Sequence, residues 1–233
     1  MSRLDNLSIV LVEPSHPGNI GATARAMKNM GLSNLVLVSP REFPSEEATQ
    51  RAASAADVLE RARCVSTLAE AIADVERVYG CAADLRDQAW PVFSAEALGL
   101  EVAGAQVGRR MAIVFGREST GLNNEELALC HAQVQIPTDS AYNSLNLAQA
   151  VQVVCYELHK ATLGAVGDAE LPALANQAKC AALFQAFAAA AERVAYYDPK
   201  RPLNFPTRMR QVILQMNLQD SDADMLLGFL KRL

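Results

Sequence analysis

The sequence predicts an α/β fold, in which helices cover both faces of a parallel sheet of about five strands. Short β-branched runs bounded by turn residues alternate with helical patterns over residues 1–163. The runs IVLV, LVLV and MAIVF are apolar at every position, as a strand buried on both faces requires. Beyond residue 172 no strand pattern returns, and alanine-rich helical sequence follows. We therefore expect a parallel-sheet domain with a small helical C-terminal extension.

The predicted strands and helices alternate in chain order. Strands are expected at residues 8–12, 34–38, 77–80, 111–115 and 133–136. Helices are expected between them, at residues 20–30, 45–63, 67–74, 94–103 and 124–130. Parallel strands need crossover connections of this kind, which are usually helical.

Two longer helices are predicted from narrow apolar seams with spacings of four and three residues. In the helix at 145–163, which closes the sheet region or meets a partner, the seam residues are Leu147, Val151, Val154, Leu158 and Ala161. In the helix within 173–195 they are Cys180, Phe184, Phe187, Ala191 and Val194. Shorter helices are expected at 207–216 and 222–230. These patterns predict a domain at 1–163, a Gly- and Pro-punctuated linker at 164–172 and an extension at 173–233.

The composition is that of an ordinary globular protein, with 51% hydrophobic and 20% charged residues. A net charge of −5 excludes a uniformly basic surface but allows a local basic patch. The five cysteines form no C-x-x-C pair and the three histidines are scattered, so we expect buried reduced thiols and no metal site. With no signal-peptide core and no apolar run long enough to span a membrane, we expect a cytoplasmic protein.

The first of three glycine-containing segments runs from Pro17 to Met27, directly after the first strand. A strand, a glycine turn and a helix N-terminus form an anion-binding geometry. The alternative is purely structural: a helix capped by Asn19 and ended by Gly31. Arg25 lies at the edge of the apolar face of this helix, where a structural role does not account for it.

The second segment, residues 115–122, reads FGRESTGL. Its glycines match the first half of a P-loop, but Leu122 and Asn123 stand where Lys and Ser or Thr are required. ATP or GTP hydrolysis is therefore not expected. The loop follows a strand at the edge where open α/β sheets bind ligands, so it is either a binding loop or a plain connection.

The third segment, residues 136–148, leads from the last strand into the long seam helix. In it Ser144 is either a helix N-cap or a site residue.

Together and in this order, the three segments resemble the SPOUT superfamily of knotted RNA methyltransferases. They match the patterns N-x-G-x-x-A-R, F-G-R-E-x-x-G-L and I-P-x(6)-S-L-N-L-A. The spacing is similar to that of the ribose 2′-O-methyltransferase branch. Residues 9–32, IVLVEPSHPGNIGATARAMKNMGL, resemble almost throughout the opening of its members that modify cytidine or uridine 32 in the tRNA anticodon loop. The resemblance covers residues 7–163 well, and Trp90-Pro91 and the extension also look like that group.

This resemblance implies a C-terminal trefoil knot, a tRNA substrate and S-adenosylmethionine as cofactor. It also implies a homodimer whose interface includes the helices at Ile20 and Leu145. The cofactor-binding residues it implies are Cys81, Ala82, Ala83, Gly116, Ile136, Asn143, Ser144 and Leu145. The catalytic residues it implies are Arg25, Asn19, Ser144 and Glu118. In this interpretation Arg25 positions the 2′-oxygen or a phosphate, Asn19 and Ser144 hold the ribose or Arg25, and Glu118 orients Arg117 or Arg25.

One loop departs from the family pattern. Related chains read roughly G-T-S-A-R where this chain has Gly80-Cys81-Ala82-Ala83-Asp84, and Arg86 is the residue that could compensate for the lost arginine. The departure keeps a second hypothesis open, a catalytically weak RNA-binding protein of the same fold. A 2′-O-methyltransferase of another RNA, such as rRNA, is a further alternative.

Residues 192–210 form the expected basic patch. Five basic residues, among them Arg201, Arg208 and Arg210, stand against two acidic ones, which gives a local charge of +3. With Arg25 and Arg86, these three arginines are the predicted RNA-binding residues, and the alternative for the segment is a solvated helical cap.

Overall fold

A single parallel sheet forms the centre of the protein in a computed structural model that describes residues 3–83, 90–139, 141, 143–163, 172–201 and 203–232. The strands are β1 (Leu7–Val12), β2 (Asn34–Val38), β3 (Arg63–Val65), β4 (Arg77–Cys81), β5 (Val92–Ser94), β6 (Met111–Phe115) and β7 (Ala132–Gln135). Their order is β3-β2-β1-β6-β4-β7-β5, and every neighbouring pair is parallel. The predicted α/β fold with a parallel sheet is confirmed.

The helices occupy both faces of the sheet and the C-terminal extension. They are α1 (Pro17–Asn29), α2 (Glu46–Ala52), α3 (Ala56–Glu60), α4 (Leu68–Ala71), α5 (Ala95–Gly104), α6 (Asn124–Leu127), α7 (Leu147–Leu163), α8 (Gln177–Arg193), α9 (Phe205–Gln215) and α10 (Asp220–Leu230). On one face α1 packs between α2 and α7, and α7 also packs against α5. The opposite face is covered by α4, α6 and Trp90.

Successive residues of the central strands enter two different cores. In β1, Ile9 and Leu11 belong to the core under α1 and α7, whereas Val10 and Val12 belong to the core on the other face. Because successive side chains of a strand point to opposite faces, a strand covered on both faces must be apolar throughout. This burial explains the uninterrupted apolar runs of the sequence.

The prediction of about five strands was too low, because β3 and β5 form the two edges of the sheet and have three residues each. A three-residue strand is too short to show a period of two. Both also contain exposed positions, among them Arg63, Cys64 and Val92.

The expectation of buried thiols is wrong for Cys64, while Cys130, Cys155 and Cys180 are buried.

The prediction of one helix at residues 45–63 was also wrong. After α2, Ala53 adopts a left-handed φ of 50°, and a 3₁₀ turn at Ala53–Ala55 leads into the short helix α3. Arg63 then lies in β3. No proline or glycine marks this break, so helical periodicity could not reveal it.

The ends of several helices differ from the predictions by a few residues. The first helix begins at Pro17, so that Asn19 lies inside it and is not its cap, whereas Gly31 follows its end with a φ of 77° as expected. The seam helix α7 begins at Leu147 because the side chain of Asn146 accepts hydrogen bonds from the backbone N–H groups of the next turn. Ser144 is therefore not the N-cap of this helix.

The extension consists of α8, α9 and α10, which share a small core containing Leu183, Phe184 and Ile213. Val194 does not belong to the seam: it follows the end of α8 and is 74% exposed. The linker predicted at 164–172 lies outside the described residues except for Pro172. The domain boundaries therefore stay predictions.

The extension docks beside the amino ends of the strands and reaches towards their carboxyl ends. The start of α8 is fixed by the N–H of Gln177, which donates to the carbonyl of Val75 just before β4. From there α8 and α9 pack together. Asn217, after α9, bonds Arg77 at the amino end of β4, whereas the first turn of α9 shares a pocket with Asn124 at the start of α6. The α8–α9 junction accordingly lies towards the carboxyl ends of the strands.

Candidate active site

A cavity of about 260 Å³ opens at the carboxyl ends of β4, β6 and β7. Its walls are the segment after β4, the loop at 116–122 after β6 and the segment between β7 and α7. Every residue predicted to hold the cofactor lines this cavity. Residues 84–89, which include Arg86, lie outside the described residues. The fold thus brings three distant parts of the sequence to one ligand-sized space.

Close backbone packing explains why the loop after β6 begins with glycine. A Cβ atom at Gly116 would lie 2.1 Å from the carbonyl carbon of Gly121, so a side chain cannot fit there. Gly121 itself has a φ of 66°, and its N–H donates to the carbonyl of Arg117. These constraints fold the loop back on itself and leave its backbone facing the cavity.

Arg117 ties this loop to two neighbouring elements. Its guanidinium donates to Glu13 at the end of β1, at 2.6 Å, and to Glu126 in α6, at 3.0 Å. Hydrogen bonds to Glu13 and then Glu126 raise the pKa of Arg117, which keeps it charged. Because its guanidinium is paired with both carboxylates, Arg117 holds the loop in place and is not assigned to bind a substrate.

Glu118 does not orient Arg117 or Arg25, contrary to the sequence-based expectation. Its carboxylate accepts hydrogen bonds from the N–H and hydroxyl of Ser15, the N–H of His16 and the side-chain amide of Asn19. Burial works against the charged form, but these hydrogen bonds outweigh it and lower the pKa of Glu118 to about 2. Glu118 therefore holds the first turn of α1 and fixes the rotamer of Asn19.

A second amide extends this hydrogen-bonded chain. The side-chain carbonyl of Asn19 accepts from the amide of Asn146 at 3.0 Å. Asn146 in turn caps α7, so the chain Glu118–Asn19–Asn146 joins all three motif segments. Ser15 and its link to Glu118 were not predicted, although the Ser-His-Pro-Gly turn before α1 is a typical helix start.

Arg25 stands apart from the cavity. It is exposed on α1, six residues beyond Asn19, which corresponds to about 9 Å along the helix. Among the described residues it has neither a hydrogen-bond nor an ion-pair partner. Lys28, one turn further on, is by contrast paired with Asp57 at 2.6 Å. The arginine is therefore free to bind an anionic or hydroxyl-bearing ligand.

The predicted RNA-binding arginines of the extension differ in exposure. Arg201 and Arg208 are exposed, whereas Arg210 is half-buried with its guanidinium 4.5 Å from the ring centre of Phe184. This contact leaves Arg201 and Arg208 as the more accessible pair.

The described residues contain no group of three His, Cys, Asp or Glu side chains that could hold a metal ion. His131 is buried, and burial, assisted by the charge of Arg77, lowers its pKa to about 3. Its Nδ1 atom accepts from the N–H of Val78, so this histidine serves the packing of β4.

No helix in the described part of the chain is long and apolar enough to cross a membrane.

Comparison with protein families matches residues 6–156 to the SpoU rRNA Methylase family. Among curated relatives, a tRNA (cytidine/uridine/adenosine-2′-O-)-methyltransferase, TrmJ of Pseudomonas aeruginosa, is 40% identical over 97% of this chain and 93% of its own. The match includes the extension as well as the sheet domain.

Solved structures agree with this family match. TrmJ from Z. mobilis ZM4 superposes with a TM-score of 0.86 at 31% identity, covering 97% of both chains. A protein solved in work on the 2-OH methylation of C/U34 on tRNA has a TM-score of 0.54 at 28% identity, covering 68% of this chain and 97% of its own. The SpoU methyltransferase AviRb from Streptomyces viridochromogenes, solved with AdoMet, shares the fold at 20% identity and a TM-score of 0.54 over 68% of this chain and 61% of its own.

Proposed function

Because this chain belongs to the SpoU rRNA Methylase family, we propose that it is a tRNA methyltransferase that transfers a methyl group from S-adenosylmethionine to a ribose 2′-oxygen. The observation that carries the proposal is the convergence of the three motif segments on one cavity, joined by the chain Glu118–Asn19–Asn146. The relative in Pseudomonas aeruginosa, similar over 97% of this chain, supports tRNA as the substrate in preference to rRNA.

The proposed target is cytidine or uridine 32 of the anticodon loop. Position 34 is the competing target, because a structural relative was solved in work on methylation there. Both nucleotides lie in an unpaired loop, where a ribose can be presented to an enzyme without opening a helix.

The cavity suits S-adenosylmethionine. Small residues from Cys81 to Ala83 and the backbone of the 116–121 loop allow close approach, while Ile136 and Leu145 add apolar walls for an adenine ring. Bound there, the cofactor would supply an electrophilic methyl group on a sulfonium that is its own leaving group. Related chains carry the hydroxyls of Thr and Ser where this chain has Cys81 and Ala82. In this proposal, backbone groups of the protein make the cofactor contacts in place of those hydroxyls.

The protein must align the ribose and manage its proton, because a hydroxyl is a poor nucleophile at neutral pH. We assign the alignment to Arg25, whose guanidinium can donate to the 2′-oxygen or to an adjacent phosphate. A guanidinium has no acceptor atom, so we do not assign Arg25 as the base. Asn19, held by Glu118, and Ser144, exposed at the rim of the cavity, complete the proposed ribose site.

The proposed active form is a homodimer built on α1 and α7. Arg25 does not line the cavity of its own protomer, so a second copy packed across these helices would bring its Arg25 to that cavity. The seam of α7 is buried within the chain, so the interface must use the outer side of α7, where Tyr156 is 50% exposed. Light scattering at micromolar concentration should give the mass of a dimer, and a monomeric mass would contradict this assembly.

The proposed fold includes the trefoil knot of the superfamily, and the proposed location is the cytoplasm. Outside the cavity, we propose that Arg201 and Arg208 contact the RNA.

The second candidate function is a catalytically weak RNA-binding protein, which the altered loop after β4 favours. Calorimetry with S-adenosylmethionine separates the two, because an enzyme should bind the cofactor with micromolar affinity.

Mapping of methylated nucleotides tests the reaction and its position. Purified protein, S-adenosylmethionine and an unmodified tRNA transcript should yield a 2′-O-methyl group at nucleotide 32. Methylation at 34 alone would correct the position, and methylation of rRNA but not tRNA would overturn the proposed substrate.

A further inference from the structure

Three aromatic rings cluster where α8 ends and α9 begins. Tyr197 stacks on Phe205, with ring centres 4.6 Å apart and planes inclined by 27°. Tyr196 meets the edge of the same Phe205 ring at 5.9 Å. Tyr197 and Phe205 are half-buried and anchor the cluster, whereas Tyr196 is 78% exposed. One large ring is thus presented to solvent on an aromatic support.

The backbone that carries Tyr196 is fixed. Ala195 takes a left-handed φ of 55° directly after α8, and the N–H groups of Tyr196 and Tyr197 both donate to the carbonyl of Ala191. These bonds close the C-terminus of α8. The exposed ring therefore sits on a well-defined helix end.

Exposed basic residues follow this ring along the chain. Lys200, Arg201 and Arg208 are exposed, and among the described residues none of their side chains has an ion-pair partner. The nearby acidic group Asp198 accepts a hydrogen bond from the backbone N–H of Lys200, which shapes the loop. Glu192, one turn before Tyr196, is the other carboxylate of the segment. The segment 192–210, which contains Tyr196, thus carries a charge of +3 in a chain whose net charge is −5.

The cluster also lies on the cavity side of the sheet. The cavity wall contains Arg117, which is bonded to Glu126 of α6. The first residues of α6, Asn124 and Glu125, share a pocket with Pro206 in the first turn of α9. Phe205, the support of Tyr196, immediately precedes Pro206. The aromatic cluster is therefore linked to the cavity wall through α6.

We propose that Tyr196 is a stacking platform for an unpaired base of the RNA substrate, with Lys200, Arg201 and Arg208 holding the adjacent phosphates. Exposed aromatic rings flanked by basic side chains are the usual means of holding single-stranded nucleic acid, because every base has a face that can stack. In a two-fold pairing of two copies the same basic residues would face one another and repel, so the charge favours RNA over a second copy as the occupant. The inference rests on the proposed function, since it takes tRNA as the substrate.

Binding of tRNA at several salt concentrations tests the platform on the full-length protein. Tyr196→Ala should weaken the affinity about tenfold without changing the slope of log affinity against log salt. Tyr196→Phe keeps the ring and should bind like wild type. Arg201→Ala should instead lower the slope by roughly 0.7 to 0.9, because it removes a phosphate contact. Phe229→Ala removes a ring that is 60% exposed on α10 and serves as the matched control, with unchanged affinity.

The possible outcomes separate the platform from the proposed function. Unchanged tRNA affinity of Tyr196→Ala, beside a wild-type protein that binds and methylates tRNA, would overturn the platform alone. An equal loss of tRNA affinity in Tyr196→Ala and Tyr196→Phe would overturn stacking as the interaction. A changed molecular mass of Tyr196→Ala would identify an interface between copies and so overturn the inference. A wild-type protein that binds no tRNA would overturn the proposed function as well.

Discussion

Glu118 and Arg117 are neighbours in the sequence, yet they serve different parts of the site. Arg117 holds the loop after β6 to β1 and α6, while Glu118 holds the start of α1 and the amide of Asn19. Arg25, by contrast, has no partner among the described residues. At the scale of single residues, the groups around the cavity are held by hydrogen bonds, whereas the guanidinium of Arg25, away from the cavity of its own protomer, is unpaired among the described residues.

The free guanidinium leads to the first prediction. Arg25→Ala should reduce methyl transfer by at least 100-fold, about the loss of one preorganised charged donor, with little change in S-adenosylmethionine affinity. Arg25→Lys should also be poor, because one ammonium cannot replace a planar fork of donors. Single-turnover methylation and calorimetry measure the two effects. Turnover at the wild-type rate in Arg25→Ala would refute the assignment.

The second prediction concerns Glu118 and pH. Its pKa is about 2 in the folded protein against 4.5 normally, so between these values the folded state binds fewer protons than the unfolded state. The stability that Glu118 contributes is therefore complete above about pH 5 and is lost as the pH falls towards 2. At pH 7 the free energy of unfolding of Glu118→Gln should be lower than that of wild type by about 1–2 kcal/mol, and this difference should narrow below pH 4.5. Urea unfolding of both proteins across this pH range measures the difference. A difference that does not change with pH would contradict the lowered pKa of Glu118.

At the scale of helices and strands, the position of α1 depends on its close contact with α2. A Cβ atom at Gly21 would lie 2.0 Å from the carbonyl oxygen of Ala48. Because that oxygen belongs to the backbone, relief of the clash requires α1 or α2 to move. Asn19 and Arg25 lie on the same helix, so the packing at Gly21 also sets the geometry of the proposed ribose site.

The third prediction follows from this contact. Gly21→Ala should destabilise the protein by about 1–3 kcal/mol and lower kcat as well, because α1 shifts. Gly104→Ala, at the end of α5 where a Cβ meets no atom within 4 Å, is the control and should leave both unchanged. Denaturant unfolding and methylation assays provide the readouts. Equal effects of the two substitutions would exclude the contact as the cause.

At the scale of the whole molecule, the C-terminal extension is bound beside the amino ends of the strands and reaches towards the edge of the sheet that carries the cavity. Gln177 and Ala178 donate to the carbonyls of Val75 and Ala73, beside the amino ends of the strands. All three cofactor segments precede residue 164 and lie at the opposite edge. Cofactor binding and the contribution of the extension to RNA binding should therefore be separable.

The fourth prediction uses this separation. Truncation after Leu163 should leave S-adenosylmethionine affinity unchanged and weaken tRNA binding, with a flatter dependence of log affinity on log salt. Some loss of stability is expected, because the truncation uncovers Ala128 and Leu129 under α8. Circular dichroism checks that the truncated protein is folded. A folded truncated protein with an unchanged salt slope would show that the extension does not contact RNA phosphates.

The sequence alone determined the features that depend on local pattern. Apolar runs predicted the central strands because both faces of the sheet are covered. Gly31 predicted the end of α1 because a left-handed residue there favours glycine. The resemblance of the motif segments to a known superfamily implied which residues line the cavity, and the cavity lies where the carboxyl ends of parallel strands share one edge.

Tertiary structure alone decided the features that depend on distant partners. Glu118 bonds Asn19 and Ser15 instead of an arginine, across about a hundred residues of sequence that carry no mark of the pairing. The edge strands β3 and β5 are too short for a period to appear, and the break after α2 has no helix-breaking residue. The α8–α9 junction lies beside α6, where Pro206 and Asn124 line one pocket. Periodicity cannot encode this placement, because it reports only that a face is apolar and not what covers it.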